Sequence, residues 1–415
     1  MKSVPADDRA TRGAKRARVL EEAAKALNRR GVSQTSLAEI AQRIGVSRAA
    51  LYYYFEDQED LVFQSYRRSC EIMARRLSEA SHGQTNAMAV IEAFVDGMLG
   101  ADETEFASLS EAAFLRPDQL STIMGLYEAI MASLCEILEA GARRGELRAC
   151  NTKIAAQCVL GLISWVPMAR RWRINDPLTH AEMIDGIKEV LRYGVAADRR
   201  ATVDYVPFEL SSARMGVQSV FDAEALAAAK QEALLASASW LFNLKGVDAT
   251  SLEEIALRVG VTKKVIYHNV GDKETLVVAC YRRSFRNYEQ VALRTRDYAG
   301  SRIAAFCASS HASAEGALRE DIAPLAPLAG FEALPDDVRD EMHASSQRLM
   351  DAYLQVFKEG IAEGSMRADN PRAILAMHPG TFQWLPKWFD IFAPAEREVA
   401  ARELADMSRL GLMPL

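Results

Sequence analysis

The chain has 415 residues, a formal net charge of −6, 49% hydrophobic residues and 26% charged ones. That length exceeds one ordinary helical domain, and the balance is that of a globular protein with enough apolar surface for real cores. No run of eighteen or more apolar residues suggests a membrane span, and the polar, basic start MKSVPADDRATRGAKR lacks the apolar stretch of a secretion signal, so a cytoplasmic protein with no membrane partner is expected.

Chemistry is excluded next. The cysteines (Cys70, Cys135, Cys150, Cys158, Cys280, Cys307) lack CxxC or CxxH spacing, and the histidines lack HxxxH or HExxH spacing. That pattern fits reduced thiols better than a zinc site or a disulfide framework. There is no Gly-rich phosphate loop, nucleophile elbow or paired-carboxylate motif. No metal, no cofactor and no enzymatic activity are expected.

Along the chain, the first feature is basic. Residues 9–48 hold ten bases and three acids, and 10 − 3 gives +7. Alone, such a run is most often a solvated helix face, although local sign governs attraction to phosphate within a Debye length of about 8–10 Å. The apolar stripe Leu20, Ala23, Ala24, Leu27 predicts a first helix, ended by Gly31. Ser36 and Glu39 have the spacing of a capping box opening a second helix, which buries Leu37, Ile40, Ala41 and Ile44. Gly45-Val46-Ser47 makes a tight break, in which glycine can take a positive φ and serine can cap the next helix. That third helix turns Leu51 and Phe55 inward and leaves Arg48, Ala49, Tyr52 and Tyr53 outside, and Asp57 caps a fourth helix. Two helices joined by a short Gly-containing turn, the second exposing bases and aromatics, match helix-turn-helix geometry.

An ordinary helical hairpin would share much of this, but the chain repeats it. Residues 31–69 overlay 246–284 without a gap at a shift of 246 − 31 = 215, with about half the positions identical. The second copy keeps the caps (Ser251, Glu254, Asp272), the turn Gly260-Val261-Thr262 and the inward Leu252, Ile255, Ala256 and Val259. Downstream the shift becomes 219: Gly141, Gly145, Arg148, Asn151, Trp165 and Pro167 meet Gly360, Gly364, Arg367, Asn370, Trp384 and Pro386. A period this long means tandem domains rather than a solenoid. The expected division is a first head (14–70), a first body (71–197), a linker (198–222), a second head (223–285) and a second body (286–415).

The motif shared by both heads, T-S-L-x-E-I-A-x-R-x-G-V-(S/T) followed by Y and D-x-E-x-L, resembles the tetracycline-repressor (TetR/AcrR) family. The resemblance implies an all-α fold of two tandem units. Each would be a three-helix head on a larger helical body that binds a small molecule and dimerises through its last two helices. Those helices, expected over 153–171 with 181–193 and over 372–389 with 396–410, would form one intramolecular four-helix bundle, giving a single-chain pseudo-dimer.

Carried over by position, the resemblance puts Thr35 and Ser36 at phosphate and Ser47, Arg48, Ala49, Tyr53 and Tyr54 in the major groove, with the Tyr52 hydroxyl on phosphate. In the second head these are Thr250 and Ser251; Thr262, Lys263, Lys264, His268 and Asn269; and Tyr267. Recognition segments are therefore 47–55 and 262–270. Arg and Lys suit guanine, Asn suits adenine and hydroxyls suit phosphate. The family's phosphate-binding lysine at the start of helix four is Gln58 in the first head and Lys273 in the second. The aromatic closing the recognition helix is Phe55 in the first but Val270 in the second, and Glu253 stands where the first head has Ala38. The second window, 224–270, holds five bases and five acids, hence zero against +7. The heads are expected to be inequivalent.

In the bodies, aromatic or soft side chains are candidate pocket residues: Phe114, Tyr127, Met131, Trp165, Met168 and Trp172, then His343, Met350, Tyr353, His378, Trp384 and Trp388. Any one of them is more often simple core. The function expected is a ligand-responsive repressor with double-stranded operator DNA, which need not be palindromic, and a small apolar effector as partners. The alternative is an architectural or interaction protein whose second head does not read DNA.

Overall fold

The structure, a computed structural model, describes residues 6–32, 35–100, 105–169, 178–210, 223–326, 331, 334–386 and 394–415. These residues form helices and no strand beyond an isolated bridge between Ala196 and Met366. The first half runs α1 (Ala6–Arg30), α2 (Leu37–Ile44), α3 (Arg48–Leu51), α4 (Gln58–Gly83), α5 (Ala87–Leu99), α6 (Pro117–Arg143), α7 (Thr152–Ala169) and α8 (His180–Tyr193). The second repeats the order as α9 (Ala223–Lys245), α10 (Leu252–Val259), α11 (Lys263–Asn269), α12 (Lys273–Arg296), α13 (Arg302–Leu318), α14 (Asp336–Ala362), α15 (Pro371–Met377) and α16 (Pro394–Leu410). Head and body share a helix in each half, because α4 and α12 run straight through residues 70 and 285.

Each head closes over its own small core. In the first, Leu20, Ala23, Leu37, Ile40, Leu51 and Phe55 are buried together; in the second, Leu241, Phe242, Leu252, Ile255 and Ile266 are. The predicted turn glycines are left-handed, Gly45 at φ 72° and Gly260 at φ 77°, a region costly for any residue with a Cβ. The capping boxes form only in part. Ser36 and Ser251 accept the Glu39 and Glu254 amides, but those carboxylates turn to Arg30 and Lys245 at the end of the preceding helix. A complete box occurs instead at Thr179 and Glu182, opening α8.

α6 and α7 are each apolar enough, at mean hydropathy 1.3 over eighteen residues, to meet the length and composition of a membrane span. Most of α7 is buried inside the protein, and α6 is amphipathic, with Ile123, Tyr127, Ile130 and Leu134 on its inner face and Glu128, Glu136 and Glu139 outside. The expected helix over 372–389 does not run through: α15 stops at Met377 and the chain tightens into a 3₁₀ turn, His378–Thr381. Pro379, at the place of Leu160 in α7, lacks the N–H that would continue an α-helix.

The halves join through matched backbone bonds. Val195 and Ala196 donate to Ser408 and Arg409, while Leu412 and Met413 donate to Leu191 and Arg192. Likewise Arg148 N donates to Leu412 O at 2.8 Å, and Arg367 N donates to Val195 O at 2.8 Å. Each bond has its counterpart at the equivalent place in the other repeat.

The segment expected to be a linker is anchored over its described part. Arg199 donates to the carbonyls of Leu410, Met413 and Pro414, Tyr205 Oη bonds His311 Nδ1 at 3.0 Å, and Phe208 is buried against Val291, Ala308 and Ala312. Residues 198–210 are thus a strap on the second body.

Candidate DNA interface and ligand cavity

Local sequence explains how each recognition segment is presented. Ser47 caps α3 by accepting the Ala50 amide at 3.2 Å, and Leu51 and Phe55 bury the inner side. Regular helix lasts only Arg48–Leu51, after which turns carry the chain to Phe55. In the second head α11 is regular over Lys263–Asn269, and Val270 is half-buried where Phe55 is fully buried.

On the first head Ser36, Ser47, Arg48, Ala49, Tyr52 and Tyr53 are exposed, Tyr53 by 69%. The Arg48 guanidinium donates to the Tyr52 hydroxyl at 2.8 Å and lies 5.5 Å from the Tyr52 ring centre. On the second head Ser251, Thr262, Lys264, Tyr267, His268 and Asn269 are exposed and Lys263 is half-exposed. Lys263 lies 5.6 Å from the Tyr267 ring centre, but its ammonium also pairs with Glu253 at 2.5 Å. That pair raises the lysine's pKa and lowers the glutamate's. The counterpart of Glu253 in the first head is Ala38, which offers Arg48 no carboxylate at that position.

Three groups of the residues expected at DNA have their hydroxyls, ring or side-chain nitrogens engaged within the head. Thr35 and Thr250 do not present hydroxyls to phosphate: both are fully buried and donate to Gly31 O at 2.7 Å and Gly246 O at 2.8 Å, since a buried hydroxyl needs a partner and the preceding turn offers one. Tyr54 is half-buried against the head core, edge-on to Tyr53, rather than turned to the groove. Gln58 and Lys273 point back at the loop before helix two: Gln58 donates to Val32 O at 2.7 Å and Thr35 O at 2.8 Å, and Lys273 donates to Asp248 O at 3.2 Å. Burial of Lys273 lowers its pKa.

Sequence reasoning missed the joints between heads and bodies. Asn28 donates to Phe106 O at 2.7 Å and accepts from Ser108 N at 2.9 Å. Asn243, 215 residues on, does the same with Pro324 O and Ala326 N, both at 2.9 Å. Beside them Ser69 and Ser284 accept the amides of Ala107 and Leu325. The signal was available: Asn28 and Asn243 are aligned polar residues on otherwise apolar helix faces.

Two cavities in the bodies share Trp165 and Gln383. The larger, about 140 Å³, is lined by Trp165, Met350, Tyr353 and His378 among the expected residues. The smaller, about 80 Å³, is lined by Tyr127, Trp165, Met168 and Trp384. Phe114 and Met131 pack against the main core and line neither cavity, and His343 sits 5.3 Å from the Phe331 ring beside the second head. Trp172 and Trp388 lie outside the described residues. The larger cavity also uses Phe285, Tyr288, Phe306 and Phe382, which no spacing singled out. Burial takes the His378 imidazole down to about 4, so it is neutral at pH 7.

The profile described as "Bacterial regulatory proteins, tetR family" matches residues 19–64 and 234–280. That described as "Tetracyclin repressor-like, C-terminal domain" matches 88–172 and 319–412. The chain belongs to the tetR family, twice over. It is accordingly a helix-turn-helix transcriptional regulator built from a tandem repeat. The HTH-type transcriptional regulator TtgR of Pseudomonas putida is 26% identical over 173 residues, 38% of this chain and 79% of TtgR. The HTH-type transcriptional repressor KstR2 of Mycolicibacterium smegmatis is 28% identical over 151 residues, 34% of this chain and 70% of KstR2. Among solved structures, the TetR family regulator PfmR from Thermus thermophilus is 20% identical with a TM-score of 0.35, covering 42% of this chain and 96% of PfmR. Each relative is covered over most of its length by less than half of this tetR-family chain.

Proposed function

We propose that this regulator is a ligand-responsive repressor that sets both its heads on one operator as a single-chain pseudo-dimer in the cytoplasm. The observation that carries this reading is the reciprocity of the junction, where Val195 and Ala196 bond the end of α16 as Leu412 and Met413 bond the end of α8. A contact in which i meets j and j meets i is the isologous contact of a two-fold dimer. Here the halves share one chain, so the heads are free to differ and the operator need not be palindromic. The first head, basic over 9–48 and with no acid paired to Arg48 among the described residues, supplies most of the affinity. The surfaces offered to DNA are Ser36, Ser47, Arg48, Ala49, Tyr52 and Tyr53, and Ser251, Thr262, Lys263, Lys264, Tyr267, His268 and Asn269.

The Lys263–Glu253 pair favours a second reading, in which the second head contributes little to base recognition. One experiment separates the two. DNA is selected from a random pool with the full chain, then sedimented with the protein from nanomolar to micromolar concentration. One chain on two unequal half-sites is expected. One chain on a single half-site would favour the second reading. An obligate dimer of chains, with two copies of the first head on a palindrome, would overturn the pseudo-dimer.

A further inference from the structure

The two cavities occupy equivalent places in the repeats, and an exchange of side chains between α6 and α14 distinguishes their walls. Tyr127 on α6 corresponds to Ser346 on α14, since 346 − 127 = 219, and each lines the cavity of its own half. In the first half the tyrosine ring fills the space, and its buried hydroxyl donates to Gln157 Oε1 at 2.7 Å. In the second half the serine leaves the space open, and the cavity grows from about 80 to about 140 Å³. Ser346 is 7% exposed, and among the described residues its Oγ has no hydrogen-bond partner. A buried hydroxyl without a partner is costly, and a ligand oxygen would satisfy it.

We propose that the chain takes one effector rather than two, in the second body, and that this effector is an uncharged, compact, ring-sized molecule whose single hydroxyl or carbonyl meets Ser346 Oγ. This rests on the ligand-responsive reading above. Among the described residues the lining contains no Asp, Glu, Lys or Arg, so an ionised ligand would lose its hydration without gaining a counter-charge there. Ser313 is only half-buried, and other polar wall groups already have partners. Tyr353 Oη bonds Ser309 at 2.6 Å, His378 Nε2 bonds Ser408 at 3.0 Å, and Gln383 Nε2 donates to Tyr288 Oη at 3.3 Å. Ser346 Oγ, buried and without a partner among the described residues, therefore calls for a polar group on the ligand. An apolar cavity of about 150 Å³ is the size that accommodates benzene in an engineered lysozyme core. Trp165 of the first half closes the cavity, so the bound molecule touches both halves. α12, which supplies Phe285, Tyr288 and Val291, begins at the second head.

The test uses p-cresol, its isostere toluene without the hydroxyl, and the charged p-toluate, titrated calorimetrically into the full chain. One p-cresol per chain is expected, with toluene bound more weakly and p-toluate at least tenfold more weakly. Ser346→Ala should bring p-cresol down to the level of toluene, and Ser346→Tyr should weaken both at least tenfold. Tyr127→Ser should open the first cavity and raise the stoichiometry to two. Melting curves verify that each variant folds. Two sites in the wild-type chain, p-cresol binding indifferent to both Ser346 variants, or no p-cresol binding up to its solubility limit would overturn the proposal. The ligand-responsive reading fails separately: p-cresol bound at Ser346 with operator affinity unchanged leaves the site standing and removes the regulation. An effector that releases DNA from Ser346→Tyr as well as from the wild type does the reverse.

Discussion

Gly161 and Gly380 meet backbone to backbone at the junction of the halves, and they are the same residue of the repeat, 219 positions apart. A Cβ on Gly161 would lie 2.4 Å from the Gly380 carbonyl oxygen and 2.4 Å from Trp384 Cδ1, and one on Gly380 would lie 2.9 Å from the Leu162 Cα. The near-two-fold relation of the halves thus passes through a point where only hydrogen atoms fit. Gly161→Ala should cost about 1–3 kcal/mol in denaturant unfolding, the range for overpacking a close contact. Gly125→Ala, in open space on α6, should be neutral or slightly stabilising. Equal effects from the two would mean that the junction is loose.

The heads should respond differently to loss of their leading cation. Arg48→Ala should weaken operator binding about tenfold or more and flatten its salt dependence by about one contact if it holds a phosphate. Lys263→Ala should do less, because Glu253 already engages that ammonium. Glu253→Ala should therefore raise affinity and steepen the salt slope. Electrophoretic titration at several salt concentrations measures all three, and a Glu253→Ala protein that binds no better would show that the pair does not restrain Lys263.

Asn28 and Asn243 should be the stiffest joints between heads and bodies. Asn28→Ala leaves the buried Phe106 carbonyl and Ser108 amide without that partner, a loss of about 2–4 kcal/mol. Hydrogen exchange should rise at the Ser108 amide and along the end of α1, and Asn243→Ala should produce the matching change at Ala326. Unchanged protection in both variants would assign the head–body contact to packing alone.

Acid should loosen the second body through His378. Folding lowers its pKa from 6.5 to about 4, so the unfolded chain binds more protons between those values. The stabilising effect of burying the neutral ring is complete above pH 6.5 and is lost as pH falls toward 4, on the order of 3 kcal/mol in all. His378→Gln should remove the part of the acid destabilisation that falls in that window. An unfolding free energy with the same slope there in both proteins would assign it to the carboxylates.

The repeat, the helix-turn-helix segments and the all-helical class were legible in the sequence because they depend on local rules. The glycines that need a left-handed backbone, the Ser caps and the inward stripes at helical spacing act within a turn or two of the chain, and two copies remove the ambiguity of one. The tertiary structure decided what each polar side chain faces. Thr35 and Thr250 sit at the phosphate position of a familiar pattern, yet packing of α1 on α2 buries them, so their hydroxyls serve the turn. Gln58 and Lys273 look like a lost and a kept phosphate ligand, yet each reaches back to the loop before the second helix of its own head. Aromatic wall residues such as Tyr127, Trp165 and His378 were legible as candidates, but Ser346 was not. Tyr127 and Ser346 are far apart in the chain and ordinary by spacing, and their difference matters only once folding sets each against the wall of its own half. Local periodicity can place a residue on a face, but which neighbour that face meets is decided by contacts hundreds of residues away.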